Sequence, residues 1–298
     1  MTSTLDGTVL VVGDAIVDIV RADSDQELTY PGGAALNVAV GMARLGCRVH
    51  HMHPVADDSH GRMVRMYLHR EQVEVIALPG GRDTGVARSL TLDGEPTYEF
   101  SAAVVNRMYE FPGEALAKVA GARALVVSSY PMDDPAQVDR LLEMIGQLDA
   151  PLAVDANARP ALLPDPTAYR DGFLRLAGVA TLVKASREDL GLLFDDVDQA
   201  IILLQALCVT LVVSDGARGA TIFWQGDVCA AAPPKGPVVS TIGAGDALFA
   251  RLARDIGTSS WPDNIQAWQS LLREALAVAA ETCTVHSPVI PRQTNVIS

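Results

Sequence analysis

The chain has 298 residues, 49% of them hydrophobic and 20% charged, and carries a formal net charge of -13. That composition excludes disorder, and the length suffices to bury a sizeable core without disulfides or a structural metal, as two domains or as one large α/β domain. The acidic balance excludes a sequence-independent grip on nucleic acid and opposes an anionic membrane surface, but leaves room for a phosphorylated small molecule, which needs only a local site.

The opening MTSTLDGTVLVVGD has no basic segment ahead of an apolar stretch, so no secretory signal is expected. The longest apolar run, Ala200 to Val213, is interrupted by Gln205 and Thr210 and falls short of the roughly 20 residues a bilayer span needs. Cys47, Cys208, Cys229 and Cys283 are isolated, with no CxxC pair, and are expected as buried free thiols. These features point to a soluble cytoplasmic enzyme or binding protein.

In chain order, Thr8 to Val12 reads as a strand and Ala34 to Leu45 as a helix ended by Gly46. A strand follows over Arg48 to Val55 and a helix over Gly61 to Arg70. Ala124 to Ser128 is a strand, Asp134 to Leu148 a helix starting at Asp133 or Asp134, and Leu152 to Asp155, Ala180 to Lys184 and Thr210 to Ser214 are strands. The strands are continuously apolar rather than alternating, which predicts a parallel sheet buried on both faces and a doubly wound α/β core. Ile16 to Tyr30 and Thr84 to Phe100 break the pattern. They alternate with polar residues like antiparallel strands, and Asp93-Gly94 is a hairpin signal inside the second. Together they predict a small β flap inserted in a single domain spanning 1–298, over about 16–30 and 84–104.

The most informative stretch is VVSTIGAGDALFARL, from Val238 to Leu252. A strand-like pair leads into Gly243-Ala244-Gly245-Asp246 and then a helical pattern. Small residues at a helix start let backbone N–H groups approach an anion, and the helix dipole favours it there. Asp246 lies one residue inside the positive end. An anion hole beside a carboxylate base is what transfer of a phosphoryl group to an alcohol needs; the plainer reading is a strand-to-helix turn with an amino-terminal Asp. In Gly32-Gly33-Ala34-Ala35-Leu36-Asn37 the paired glycines allow backbone to approach a ligand, and Asn37 is either a ligand-binding amide or a core residue tying helix to loop. Asp14 and Asp18 follow the first strand, at the sheet edge where ligands sit, and either hold sugar hydroxyls or are solvated loop acids. Arg159 follows another buried strand and could meet phosphate oxygens or cap a sheet end. Ser214-Asp215-Gly216-Ala217-Arg218-Gly219 could receive a nucleotide or merely turn the chain. His50, His51, His53 and His60 cluster without metal-ligand spacing and read as polar side chains at a strand end, so no metal ligands are assigned. Neither GxGxxG nor GxxxxGK[ST] is present, which argues against a nicotinamide enzyme and a Walker-type ATPase.

Together, these segments resemble the ribokinase/PfkB family of carbohydrate kinases over essentially the whole chain. The similarity lies in GGAALNVAVGMARLG at 32–46, VADDSHG at 55–61 and STIGAGD at 240–246. Within the family, DANARPALL at 155–163, KASREDL at 184–190 and AAETCT at 279–284 are most similar to fructokinases. The resemblance implies a three-layer doubly wound α/β core with a small β-sheet lid, through which relatives often form homodimers. It implies ATP-dependent phosphorylation of a sugar hydroxyl, most like fructose or a related ketose or sugar acid, with Mg²⁺ held largely by phosphates and water. Alternatives are ribokinase, 2-keto-3-deoxygluconate kinase or nucleoside kinase activity, or a degenerate relative that binds without turnover. By motif position Asp246 would be the base, with Gly243, Ala244 and Gly245 as the anion hole. Asp14, Asp18, Gly32, Gly33, Asn37 and Arg159 would serve the sugar, and Ser186, Ser214, Gly216, Gly219 and Thr241 the nucleotide. The chain departs from the family pattern at Ser240, where an Asp associated with a monovalent cation is usual, so dependence on K⁺ is expected to be weak or absent. It departs also at Ser186-Arg187-Glu188-Asp189 in place of N-x-x-E, at Arg251 and at Ser287-Pro288.

Overall fold

A computed structural model describes residues 7–21, 27–92 and 95–292. The chain begins with β1 (Thr8–Gly13), β2 (Ile16–Arg21), β3 (Glu27–Gly32), α1 (Ala34–Arg44), β4 (Arg48–Pro54), α2 (Ser59–Arg70) and β5 (Val73–Leu78). It continues with β6 (Val86–Leu92), β7 (Glu95–Phe100), two short helices, α3 (Ala102–Val105) and α4 (Gly113–Ala117), β8 (Ala122–Ser128) and α5 (Pro135–Leu148). Next come β9 (Leu152–Asp155), α6 (Pro166–Ala177), β10 (Leu182–Ser186), α7 (Arg187–Leu193), α8 (Val197–Leu207) and β11 (Thr210–Ser214). The last elements are β12 (Ala220–Trp224), β13 (Asp227–Ala231), α9 (Ala244–Ala253) and α10 (Ile265–Thr282).

A 9-stranded sheet runs β13-β12-β11-β10-β9-β8-β1-β4-β5. It is parallel from β11 to β5 and ends in the antiparallel pair β12–β13. The apolar strands supply both faces. Val9, Val11 and Val49 face α1, α2, α9 and α10, while Leu10, Val12 and Met52 face α4 to α8. This is the expected three-layer core. Strand order reverses at β1, which has β4 on one side and β8 on the other, so a crevice opens past the carboxyl ends of β1 and β8. Side-chain caps set several helix starts. Asp134 and Asp165 each accept two amides ahead of a helix-initiating Pro.

The second sheet has 4 strands in the order β3-β2-β6-β7. Each of the two segments forms an antiparallel pair, as expected, but β2 and β6 join them in parallel. The Asp93-Gly94 turn lies outside the described residues. Other differences have local causes. The helix expected from Gly61 starts at Ser59 because Asp58 caps it. The strand expected from Ala180 starts at Leu182 because the amides of Val179 and Ala180 close the end of α6. All four cysteines are free, with Cys47 and Cys229 buried. No described helix is long and apolar enough to cross a membrane.

The histidines differ most from expectation. His51 and His53 do share one face of β4, but they lie fully inside the core, with ring centroids 4.6 Å apart. Neither ring nitrogen of His51 has a hydrogen-bond partner among the described residues, nor has Nδ1 of His53. Burial, and for His51 the neighbouring ring, push both pKa values down from 6.5, to about 4 for His53. A base whose pKa falls on folding contributes stability that is present above 6.5 and lost as pH drops through 4. For His53 the loss is about 2 kcal/mol by pH 5. Raised carboxyls at the site described below act in the opposite sense, so comparison with variants isolates the effect. Thermal melts of His53→Leu are expected to fall less than wild type between pH 7 and pH 5; parallel curves would show that His53 does not titrate on unfolding.

Candidate active site

Two helices bring the site together. α1 and α9 pack closely, with a Cβ at Gly41 only 3.1 Å from that of Ala250, and their amino ends meet at the carboxyl edge of the sheet. There Asn37 donates from Nδ2 to Oδ2 of Asp246 at 2.9 Å, and both side chains are buried. Gly243 precedes α9 with φ of +81°, and a Cβ there would lie 1.8 Å from the carbonyl oxygen of Pro288, so the turn requires glycine. Asp246 is the third residue of α9. The amides of Gly245 and Asp246 donate to no carbonyl among the described residues, whereas that of Ala244 donates to Thr241 at 3.2 Å. The Gly243 amide likewise donates to no carbonyl among the described residues, so of the expected Gly243-Ala244-Gly245 set only Ala244 is engaged.

Asp14 sits at the strand-order switch. Its Oδ1 accepts the Ala35 amide at 3.0 Å, at the start of α1, and its Oδ2 accepts the Ser129 hydroxyl at 2.9 Å across the crevice. Asp14 is thus part of the scaffold as well as of the cleft wall. The expected double glycine is explained by these carboxylates. A Cβ on Gly32 would fall 2.0 Å from Oδ2 of Asp18, and one on Gly33, where φ is +105°, 3.0 Å from Oδ1 of Asp14. Burial, and then the charge of Asp14, push the Asp18 carboxyl up to about 6.

Arg159 is exposed and forms no ion pair within 4 Å among the described residues; desolvation lowers its pKa, but the nearby carboxylates of Asp246, Asp189, Asp155 and Asp14 outweigh that and raise it, so it stays charged. Burial pushes Asp246 up to about 7, against the Asn37 bond and the charge of Arg159. The site therefore presents a carboxyl that exchanges a proton near neutrality beside unpaired N–H groups and a free guanidinium.

The structure adds residues that the sequence reading did not single out. Lys184 lies opposite Asp155 in the β9–β10 register, with Nζ 3.0 Å from Oδ1, and a Cβ on Gly245 would stand 3.5 Å from that Nζ. Burial alone would lower its pKa, but Asp155 and Asp189 raise it, so the ammonium stays charged beside the turn. A lysine inside the apolar strand LVKAS was a readable signal. Arg107 was not readable. It lines a cavity of about 520 Å³ between lid and core, together with Asp14, Ile16 and Thr84, and donates to the Val104 carbonyl at 2.7 Å.

The expected nucleotide residues are more dispersed. Ser186 and Ser214 are paired in register at the carboxyl ends of β10 and β11. The Ser186 hydroxyl caps α7 and donates to Asp189, whose two oxygens are engaged by Ala158 and Ser186. Gly216 turns the chain with φ of +51°. Gly219 lines a hollow of about 390 Å³ with Ile201 and Val213, on the sheet face away from α9. Thr241 is exposed in the loop before α9. Of the departures, Arg251 is buried in ion pairs with Asp255 and Glu274, and Pro288 packs against Gly243.

A model of the pfkB family carbohydrate kinases matches residues 6–295, and the chain belongs to that family. It is a sugar kinase, a phosphotransferase, close to the fructokinases. It is 33% identical over 290 residues to a fructokinase of Klebsiella pneumoniae, covering 94% of this chain and 92% of that one. It is 28% identical over 280 residues to an aminoimidazole riboside kinase of Salmonella typhimurium, covering 91% and 86%. Among solved structures, a fructokinase from Xylella fastidiosa with bound ATP superimposes with a TM-score of 0.82 at 23% identity, covering 95% of this chain and 94% of that one.

A carboxyl whose pKa rises on folding stabilises the native state fully only below its ordinary value of 3.8, and loses that contribution as pH rises through 7. Asp246→Asn is therefore expected to raise Tm at pH 8, by on the order of 1–4 kcal/mol of stability, and by less at pH 5. A melt at pH 8 with no gain would show that the buried carboxylate costs nothing.

Proposed function

We propose that this kinase transfers the γ-phosphoryl group of ATP to a hydroxyl of fructose. The observation that carries the transfer chemistry is the Asn37–Asp246 pair beside the free amides of α9; similarity to fructokinases supports the choice of sugar. Asn37 holds Oδ2 of Asp246, so the other oxygen accepts the hydroxyl proton as the bond to phosphorus forms. The amides of Gly245 and Asp246, with Arg159 and Lys184 at hand, receive the charge on the moving phosphoryl group. The acceptor lies between Asp14, Asp18 and Gly33 under the lid. The nucleotide lies on the α9 side, over the exposed apolar side chains of Val238, Val239 and Ile242, rather than in the hollow beside Gly219.

The acidic neighbours Asp155 and Asp189 are already engaged, so the donor set fits Mg²⁺ brought in on phosphates and water rather than a resident ion. When bound, it neutralises phosphate charge. Ser240 carries no charge, and its hydroxyl accepts the Ile242 amide at 3.2 Å while its own amide donates to Cys283. We read this closed loop as independent of K⁺.

A coupled assay of ADP release over fructose, ribose, 2-keto-3-deoxygluconate and a nucleoside tests the reading. Fructose is expected to give the highest kcat/KM, and exchange of Na⁺ for K⁺ to change the rate less than tenfold. Asp246→Asn should lower kcat by about 10²–10⁴ with a much smaller change in sugar Kd, whereas Asn37→Ala, which frees the base from its orienting bond, should lower kcat as well as weaken sugar binding. A folded Asp246→Asn enzyme within a few-fold of wild-type kcat would end the assignment of the base.

We further propose that a second copy covers the lid. By register Val20, Leu28 and Tyr30 share with Asp18 one face of the lid sheet, and all three are exposed. Sedimentation is expected to show a dimer; a monomer at high concentration would refute it.

A further inference from the structure

The VADDSHG stretch at 55–61 is left without a role by the chemistry above, yet it touches the lid. Asp58 makes more than a helix cap. Its Oδ1 accepts the Gly61 amide at 2.6 Å and the Thr84 hydroxyl at 2.7 Å, and its Oδ2 accepts the Thr84 amide at 2.8 Å. One carboxylate thus joins the start of α2, in the core, to the residue that leads into the lid. Thr84 and its neighbours from Gly80 to Gly85 form a wall of the cavity between lid and core. The next carbonyl, of Gly85, accepts the amide of Val17 at 2.9 Å, and from there β2 and β6 run in register with Asp18 opposite Ala87.

The fit is tight at each step. A Cβ on Gly61 would lie 2.2 Å from the Ala56 carbonyl oxygen and 3.0 Å from the Thr84 hydroxyl, and one on Gly85 would lie 2.7 Å from Val104 and 2.8 Å from Ile16. Desolvation pushes the Asp58 carboxyl up, but the bonds from Thr84 and the Gly61 amide together outweigh it and hold the pKa at about 2. The bonds are therefore charge-assisted at any pH at which the enzyme works.

We propose that Asp58 is a positioning residue for the sugar acceptor: through Thr84 it fixes the root of the lid and so the height at which Asp18 faces the site. The inference rests on the reading of the lid as the cover of the acceptor. It does not touch the nucleotide side, so its signature is selective.

Two variants separate this role from a plain helix cap. Asp58→Ser keeps a capping oxygen for Gly61 but has no second oxygen for Thr84. Thr84→Val keeps the amide and loses the hydroxyl. Both are expected to raise the acceptor KM tenfold or more, leave the ATP KM within twofold, and speed amide exchange at residues 84–88 and 16–20 while the core sheet exchanges as in wild type. Thr84→Ser, which restores the hydroxyl, should return the acceptor KM to near wild type. An acceptor KM within twofold of wild type in both folded variants would overturn the proposal, as would Thr84→Ser behaving like Thr84→Val. If wild type phosphorylates no sugar, the kinase reading fails first. Exchange still decides the latch, because unchanged rates at 84–88 in Asp58→Ser would end it.

Discussion

The hydrogen bond from Asn37 to Asp246 joins residues separated by 209 positions, and the architecture of the site follows from making it possible. Two helices must bring their amino ends to one point at the edge of a parallel sheet. They do so because small residues line their contact: Gly41 faces Ala250 at a distance that leaves no room for a larger pair. Each helix start then has its own device. Asp14 supplies an acceptor to α1 from the loop after β1, and the Gly243 turn, pressed on Pro288, leaves the amides of Gly245 and Asp246 free. The sheet contributes direction, since parallel strands deliver the residues after their carboxyl ends to the same edge.

That edge holds an unusual amount of buried charge, including Asp14, Asp155, Lys184 and Asp246. Buried ions are poor contributors to stability, because desolvation offsets much of their attraction. Here the carboxylates do not simply neutralise the cations. Lys184 is paired, but Arg159 stands among four acids without direct contact to any. Such an arrangement is costly for an empty fold and useful for a site that receives a polyanion. When phosphates enter, their charge would push Asp246 further toward its protonated form, and Arg159 and Lys184 are the groups placed to oppose that. On the proposed function, the cations would serve the base as well as the phosphoryl group.

Much of this was legible in the sequence, for identifiable reasons. Continuous apolar strands announced a sheet covered on both faces, and the glycines at 32, 33 and 243 announced backbone positions that a Cβ would block. Asp246 and Asn37 were singled out separately, but nothing in their local sequence says that they meet; only the packing of α1 on α9 does. The burial of the histidines was not legible: the stretch read as polar side chains at a strand end, whereas β4 is sandwiched between β1 and β5 and buries His51 and His53. The parallel join of β2 to β6 was invisible because period-2 patterns carry no strand direction. Arg107 sits in an irregular stretch with no periodicity to mark it, and becomes notable only once the lid closes a cavity around it.

The lid poses a separate problem of balance. Its own core is small, with Ile16, Ala87 and Val104 as the buried cluster, and its other apolar anchor is β2, whose Val17 and Ile19 are buried in the main core. Yet Asp18 must reach a fixed position relative to Asp14, which belongs to the rigid core. A wholly rigid lid would trap product, and a wholly loose one would lose the acceptor contacts that exclude water from the transferring group. Polar bonds concentrated at the root reconcile the two demands. They fix the pivot through a few short, directional contacts, while the exposed face of β2 and β3 remains free to meet whatever covers it. On the proposed function, the chemistry would sit at the amino ends of α1 and α9 and the acceptor between them and the lid sheet.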